Sequence, residues 1–357
     1  MNRVGLALII CLIGVSVLAA QLKVDVALVN IVATVTDEKG RYVSDLTADD
    51  LVVDEDGQPQ TIAHFTQSND LPVSVGIVLD TSGSMERKIG TATSSVERFV
   101  RTIHNDDDIF LMTFSERPTL RQDFTDNRDK LASALRRVSV GGGTALYDAL
   151  EESLRKVKSG KHDKKAILLI TDGEDTSSYA TFDEAASSVR ESELLVYCLG
   201  ISPSNSGGIL REGTPPVSRG PSGGRYPGRR PGIQIPGIPG IPGIPGGNGR
   251  RWPLVSFQYP QRYPGRGGNP DTVDMNVLQT FADQSGGKAW LLSGNWTDNR
   301  GSEIQGVLDE IAAELRNQYS IGYYPAHALD DKKWHRIEIR AKNPKYHVRA
   351  RKDYYGQ

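Results

Sequence analysis

The sequence predicts an α/β fold, with a doubly wound, mainly parallel sheet that carries helices on both faces, and a small β-sandwich in addition. Short, nearly uncharged runs rich in β-branched residues, such as 72–79 and 166–170, indicate strands buried on both faces. Segments with helical spacing of apolar residues alternate with these runs, which implies right-handed crossovers in a parallel sheet. Runs at both ends of the chain instead alternate apolar and charged residues, which is typical of half-buried antiparallel strands.

The α/β part is expected to alternate strands and helices in the order that a doubly wound sheet requires. After the first strand come a helix at 95–103, strands at 108–114 and 119–124, a helix at 131–138 and a helical pattern from Leu146. The strand at 166–170 is then followed by a helix at 182–193, a strand at 194–201, a helix at 277–284, a strand at 288–292 and a helix at 304–315.

The two ends of the chain each predict β-structure that cannot stand alone. An isolated hairpin buries too little apolar surface to be stable in water, so we expect the two ends to pair into one β-sandwich that the α/β domain splits in sequence. The predicted strands are 29–36, 51–55 and 61–65 before the domain, and 319–324, 334–340 and 347–351 after it.

The predicted domain organisation places a signal peptide at 1–20, an N-terminal β segment at 21–70 and the α/β domain at 71–325. A C-terminal β segment at 319–357 is expected to pair with the N-terminal one. The signal peptide is indicated by Arg3, a short apolar run and small residues at the cut. We therefore expect a secreted or periplasmic protein, or alternatively one that an uncleaved N-terminal segment anchors in the membrane.

Residues 203–270 interrupt the α/β domain with a Pro/Gly/Arg-rich insertion. They contain 14 of the 19 prolines of the chain, nine arginines and one glutamate. So much proline and glycine opposes regular hydrogen bonding, which favours a disordered insertion. The alternative is a basic arm that makes weak contact with an anionic polymer or membrane surface.

Composition excludes some classes of function. The chain has 357 residues and a formal net charge of −2, which gives no reason to expect a nucleic-acid partner. Once the signal peptide is removed, Cys198 is the one remaining cysteine, so no intrachain disulfide is expected. Cys198 lies within an apolar run and is expected to be buried.

Polar residues directly follow the first predicted strand of the sheet. Asp80, Ser82 and Ser84 lie at its carboxyl end, where open α/β sheets place their ligand sites. One carboxylate and two hydroxyls at alternate positions offer hard oxygen ligands, which suit Mg²⁺ or Mn²⁺. A Ser/Gly-rich turn that caps the next helix is the alternative explanation.

Two later segments offer further oxygen ligands. Thr144 follows three glycines and precedes a helical pattern, and Asp172 follows the buried strand at 166–170. Taken singly, Thr144 would be explained as a helix N-cap and Asp172 as part of an Asp-Gly turn. The joint order of a strand with DxSxS, a Gly-flanked Thr and a strand with TDG is not explained by three unrelated turns.

This joint pattern resembles the von Willebrand factor type A domain over roughly residues 71–325. In that family the five matching positions form the metal-ion-dependent adhesion site, so the resemblance implies that Asp80, Ser82, Ser84, Thr144 and Asp172 bind the metal. It further implies a protein partner that donates an Asp or Glu carboxylate to the metal. The L-T-x-D-D and S-I-G-Y-Y-P motifs outside the domain are similar to the bacterial VWFA-related family of the acidobacterial type.

Two other classes of function are alternatives to this adhesion-type module. In a structural module, the metal would only stabilise the loops. In a Mg²⁺-dependent phosphoryl-transfer enzyme, a strand-end aspartate and the metal would act on a phosphate. The second position after Asp80 is Ser rather than Asp, no P-loop lysine follows Ser84, and the three ligand loops contain no histidine. We therefore expect no enzymatic activity.

Overall fold

The computed structural model describes residues 28–67, 71–202, 273–293, 301–327 and 329–356. The predicted signal peptide and the Pro/Gly/Arg-rich insertion lie outside these ranges. The described strands are β1 Val29–Thr36, β2 Leu51–Glu55, β3 Gln58–Gln60, β4 Ile62–Gln67, β5 Ser74–Asp80, β6 Asp108–Phe114, β7 Pro118–Thr125, β8 Lys165–Thr171, β9 Leu195–Ser202, β10 Ala289–Ser293, β11 Gln318–Tyr323, β12 Trp334–Ala341, β13 His347–Ala350 and β14 Asp353–Tyr355. The described α-helices are α1 Ile89–Thr102, α2 Arg128–Leu135, α3 Leu146–Val157, α4 Phe182–Glu191, α5 Met275–Ser285 and α6 Gly301–Arg316.

The α/β part is built on a six-stranded sheet in the order β10-β9-β8-β5-β6-β7. Its strands pair in parallel except at one edge, where β7 runs antiparallel to β6. Every residue of β5 and β6 is buried, as expected for strands covered on both faces. The predicted doubly wound, mainly parallel sheet is confirmed.

Helices cover both faces of this sheet. Apolar residues of α1, α2 and α6 pack on one face, and those of α3, α4 and α5 pack on the other. α1 begins six residues before the predicted start, because its first turns carry mostly small and polar side chains, and the apolar pattern becomes visible only later. α2 lies three residues earlier than predicted because the Asn127 side chain caps it, accepting hydrogen bonds from the N–H groups of Asp129 and Lys130.

The two ends of the chain form the predicted β-sandwich. One antiparallel sheet has the order β13-β1-β11-β4 and the other β14-β12-β2-β3, so each sheet combines strands from both ends. Ile31 and Tyr319 of the first sheet share a buried core with Val53, Ile337 and Tyr354 of the second. The fold class is therefore confirmed in both parts.

A buried carboxylate joins the sandwich to the α/β part. Glu314 on α6 is 1% exposed and accepts a hydrogen bond from the Tyr197 hydroxyl of β9 at 2.7 Å. The Thr34 hydroxyl of β1 donates to the same oxygen at 3.3 Å, and Arg349 of β13 pairs with the other oxygen at 2.5 Å. The last helix of the α/β part is thus held to two strands of the sandwich.

Candidate metal centre

Asp80 is the last residue of β5 and is fully buried. Its Oδ1 accepts a hydrogen bond from the Ser82 N–H at 2.8 Å, and its Oδ2 accepts one from the Thr171 hydroxyl at 2.6 Å. Burial raises the pKa of Asp80 to about 6, although these hydrogen bonds act in the opposite direction. Both donors are neutral, so a nearby cation would stabilise the ionised carboxylate.

The two serines connect this strand end to Asp172. The Oγ atoms of Ser82 and Ser84 lie 3.0 Å apart, and the Ser84 hydroxyl donates to Asp172 Oδ1 at 2.7 Å. Asp172 follows directly after β8, the parallel neighbour of β5, and is fully buried. The side chains of Ser82, Ser84 and Asp172 therefore form one hydrogen-bonded chain between the carboxyl ends of two adjacent strands, and Asp80 joins it through the Ser82 N–H.

Thr144 reaches the same region from the glycine loop. The Gly142 carbonyl accepts a hydrogen bond from the Gly83 N–H at 3.1 Å, and Gly142 has a φ of 85°, which favours glycine. A Cβ atom built on Gly173 would lie 3.5 Å from Thr144 Oγ1 and 3.8 Å from Ser84 Oγ. The Thr144 and Ser84 hydroxyls therefore both lie beside Gly173.

Thr144 does not act as the helix N-cap that its position alone suggested, because another side chain accepts the first N–H groups of the helix. Asp175 Oδ1 accepts hydrogen bonds from the N–H groups of Leu146 at 2.8 Å and Tyr147 at 3.3 Å, at the start of α3. The backbone of Thr144 is held by Thr176, whose hydroxyl accepts from the Thr144 N–H at 2.9 Å and whose N–H donates to the Thr144 carbonyl at 2.8 Å. Thr144 is thus fixed by its main chain.

Lys88 is a residue of this region that the sequence motifs did not indicate. It follows the 3₁₀ turn Gly83–Arg87, is 5% exposed, and places its Nζ 2.5 Å from Asp172 Oδ2. The sequence did hold a signal for Lys88, since it lies four residues after Ser84. Side chains four residues apart lie on the same side of a helix. Of the two buried carboxylates of the region, Asp172 is therefore the one that an ammonium group contacts.

The arrangement fits a hard divalent cation. Asp80, Ser82, Ser84, Thr144 and Asp172 present carboxylate and hydroxyl oxygens, the donors that Mg²⁺ and Mn²⁺ prefer. Lys88 compensates one of the two carboxylates, which leaves an excess of negative charge in a buried place. Their role as metal ligands remains a prediction.

Comparison with known proteins shows a family match within the α/β part. The family model of the von Willebrand factor type A domain matches residues 75–174, which include all five candidate ligands. An uncharacterized protein of Synechocystis sp. is 31% identical over 108 residues, which cover 29% of this chain and 26% of the relative. The chain thus spans about a quarter of the length of this relative.

Several solved structures are similar to this chain. The vWF domain of the type V pili tip protein Mfa5 from Porphyromonas gingivalis is 26% identical, with 30% of this chain and 39% of that chain covered and a TM-score of 0.28. BatB from Bacteroides thetaiotaomicron is 18% identical, with 68% and 98% covered and a TM-score of 0.43. A von Willebrand factor type A protein from Catenulispora acidiphila is 12% identical, with 92% and 72% covered and a TM-score of 0.45.

Within the described residues, no helix has both the length and the apolar character needed to cross a membrane.

The sheet order, the helices on both faces and the matched family model agree with one another. Residues 75–174 of the α/β part therefore match the von Willebrand factor type A domain.

Proposed function

We propose that this chain is an exported protein-binding module of the adhesion type, in which a divalent metal accepts a carboxylate from a partner protein. The observation that carries this proposal is the convergence of two buried carboxylates and three hydroxyls at the carboxyl ends of β5 and β8. Asp80, Ser82, Ser84, Thr144 and Asp172 would hold the metal, with Mg²⁺ or Mn²⁺ the ions that suit their oxygens.

A bound metal would supply Lewis acidity, with which a carboxylate oxygen of the partner can complete the coordination shell. The protein's own residues prepare that step. Thr171 and the Ser82 N–H orient Asp80, and Lys88 holds one oxygen of Asp172 while Ser84 contacts the other. The ligands are therefore positioned before the partner arrives, which reduces the entropy lost on binding.

The loop that begins at Asp172 also offers a surface for a partner. Tyr179 on this loop is 86% exposed, and its N–H donates to the Asp148 carboxylate at 3.0–3.1 Å. Tyrosine is enriched at protein interfaces because it adds large contact area with few rotatable bonds. We assign Tyr179 to the rim of the proposed binding surface.

A structural role for the metal is the second candidate, and burial favours it. Asp80, Ser82, Thr144 and Asp172 are each at most 5% exposed, and Ser84 is the one intermediate member of the set. A metal at such a site could serve only to hold the three loops together. Phosphoryl transfer is the third and least supported candidate, since the required motifs are missing from the ligand loops.

Affinity capture tests the proposal. The purified protein is immobilised and exposed to envelope and secreted fractions of the source organism, with Mg²⁺ or with a chelator. We expect one protein to be retained in Mg²⁺, released by the chelator, and not captured by Asp172→Ala. Tyr179→Ala should weaken capture while it leaves Mn²⁺ binding unchanged.

Each competing function predicts a different result. A structural metal predicts equal capture with and without chelator by a protein that remains folded, and this result would overturn the adhesion mechanism. An enzyme predicts turnover of a phosphoester or anhydride that Asp80→Asn abolishes.

A further inference from the structure

A cluster of two histidines and three carboxylates lies at the β-sandwich, outside the candidate metal centre of the α/β domain. Glu55 ends β2 and Asp56 follows it in the turn to β3, whereas His335 lies in β12. His327 and Asp331 lie in the segment between β11 and β12. In sequence, Asp331 is four residues after His327 and four residues before His335.

The nitrogen and oxygen atoms of this cluster have the spacing of a metal's ligand shell. One ligand atom from each of Glu55, His327 and His335 lies within 4.8 Å of the others. His335 Nε2 is 3.1 Å from Asp331 Oδ2, and His327 Nε2 is 3.5 Å from Glu55 Oε1. Tetrahedral Zn²⁺ with bonds of about 2.0–2.1 Å separates its ligand atoms by about 3.3 Å.

The cluster also has the supporting contacts that metal-binding histidines use. Asp56 Oδ2 lies 2.8 Å from His335 Nδ1, and a carboxylate in this place directs Nε2 towards a metal. The hydroxyls of Tyr323 and Tyr354 donate to Glu55 Oε1 at 2.8 and 2.5 Å, so the Glu55 carboxylate is fixed in orientation. Both the histidine and the glutamate are therefore held in place by neighbours.

Charge gives an independent reason for a cation. Three carboxylates meet two imidazoles, and Glu55 is only 3% exposed. A buried carboxylate is unfavourable without a compensating charge, and a divalent cation bound between Glu55 and the two neutral imidazoles would supply that charge.

One movement is needed to form the shell. The rings of His327 and His335 are stacked, with centroids 3.8 Å apart and an interplanar angle of 14°, so their nitrogen lone pairs do not point at one centre. The His335 side chain is 7% exposed, and a carboxylate lies within 3.2 Å of each of its nitrogens. The His327 side chain is 28% exposed, and its Nε2 lies 3.2 Å from the Tyr354 hydroxyl. The more exposed His327 ring would therefore be the one to turn when a metal binds.

We propose that Glu55, His327 and His335 form a second metal site for a borderline transition metal of the Zn²⁺ class, beside which Asp331 places a further carboxylate. Imidazole combined with carboxylate suits Zn²⁺, Co²⁺, Ni²⁺ or Cu²⁺, whereas Mg²⁺ prefers oxygen ligands alone. The site joins β2 and β12 with the segment after β11, so a bound metal would fasten the C-terminal strands to the N-terminal ones.

Zinc binding by the purified full chain tests this proposal. Excess Mg²⁺ is present to fill the first site, bound Zn²⁺ is measured by equilibrium dialysis, and Co²⁺ loading is followed by visible absorption. We expect one Zn²⁺ per chain and the intense visible bands of tetrahedral Co²⁺. His327→Ala should abolish the bands and weaken Zn²⁺ binding by more than about 100-fold, and Asp56→Asn should weaken it by about 10- to 100-fold, with folding of both variants checked by circular dichroism.

Two variants serve as controls. His162→Ala removes a histidine of the α/β domain that lies 3.7 Å from a single carboxylate, Asp108, and Asp172→Ala disables the first site. Both should bind Zn²⁺ as the wild type does. The proposal is overturned if the wild type binds no Zn²⁺, if His327→Ala binds Zn²⁺ as tightly as wild type, or if Asp172→Ala abolishes binding.

Discussion

The ion pair between Lys88 and Asp172 leads to a prediction about both stability and metal affinity. Lys88→Met keeps a side chain of similar length and removes the charge, so Asp172 loses the ammonium that lies 2.5 Å from its Oδ2. Asp172 is fully buried, so water cannot replace the lost partner. The metal-free variant should therefore be less stable than the metal-free wild type, and it should bind metal more tightly.

The magnitude follows from the burial of the pair. Removing one partner of a buried ion pair costs about 3–5 kcal/mol. At about 2–4 °C per kcal/mol for a domain of this size, the melting temperature should fall by roughly 6–20 °C. Asp172 of the variant is no longer paired with an ammonium group. A bound divalent cation should therefore increase the stability of the variant more than it increases that of the wild type. A metal at 100 times its dissociation constant adds about 2.7 kcal/mol.

Thermal unfolding at increasing Mn²⁺ concentration measures both effects. Arg155→Met is the matched control, because Arg155 pairs with Glu152 at 2.7 Å but its side chain is 64% exposed, and it should cost less than about 1 kcal/mol. The double variant Lys88→Met/Asp172→Asn, which buries no lone charge, should regain metal-free stability yet fail to respond to Mn²⁺. If Mn²⁺ stabilises Lys88→Met no more than the wild type, the inferred competition between Lys88 and the metal is refuted.

Three further predictions concern other parts of the molecule. Burial lowers the pKa of Lys164 from 10.5 to about 8, so below pH 8 the folded state carries a penalised charge. Lys164→Met should therefore raise the free energy of unfolding by about 1–2 kcal/mol at pH 7. This gain should fade between pH 8 and 10.5, because there the folded wild type has lost the Lys164 proton while the unfolded chain still holds it. A gain that does not change with pH would contradict this explanation. Glu314→Ala should lower the free energy of unfolding, measured by urea denaturation, by about 3–5 kcal/mol, because Arg349 and Tyr197 lose a buried partner. A loss below about 1 kcal/mol would show that Glu314 contributes little to holding the sandwich to the α/β part. Replacing residues 203–270 by a Gly/Ser linker of about 8 residues should raise the melting temperature by roughly 4–8 °C, because loop closure costs about 0.6 kcal/mol less for each of about three halvings of length. A large fall in melting temperature would show that the segment packs on the domain.

The order of strands and helices was accessible from the sequence because period and composition are local properties. Buried strands such as β5 and β8 are apolar runs, and amphipathic helices repeat every 3.6 residues. The pairing of the two chain ends also followed from a physical argument, since neither end can bury a face alone. Helix starts were less accessible, as α1 shows, because small polar residues give no periodic signal.

The residues around the candidate metal centre were only partly accessible from the sequence. The five motif positions stood out, but Thr171 contacts Asp80 only through the register of two parallel strands, which no local pattern fixes. Lys88 directly follows the 3₁₀ turn that contains Ser84, and its contact with Asp172 joins segments that are distant in sequence. His335 and Glu55 lie on β12 and β2, which are neighbours in one sheet, so the pairing of distant chain ends brings this cluster together.

Calorimetric titration of Mn²⁺ into the metal-free protein tests the central claim most directly. The His327→Ala background is used throughout, so that the second proposed site does not contribute. We predict one Mn²⁺ per chain, no binding heat for Asp172→Ala or Asp80→Ala, and unchanged binding for Asp123→Ala, which removes a carboxylate whose side chain is 62% exposed. Equal heats for the parent and Asp172→Ala, with both proteins folded, would contradict a metal centre at the ends of β5 and β8.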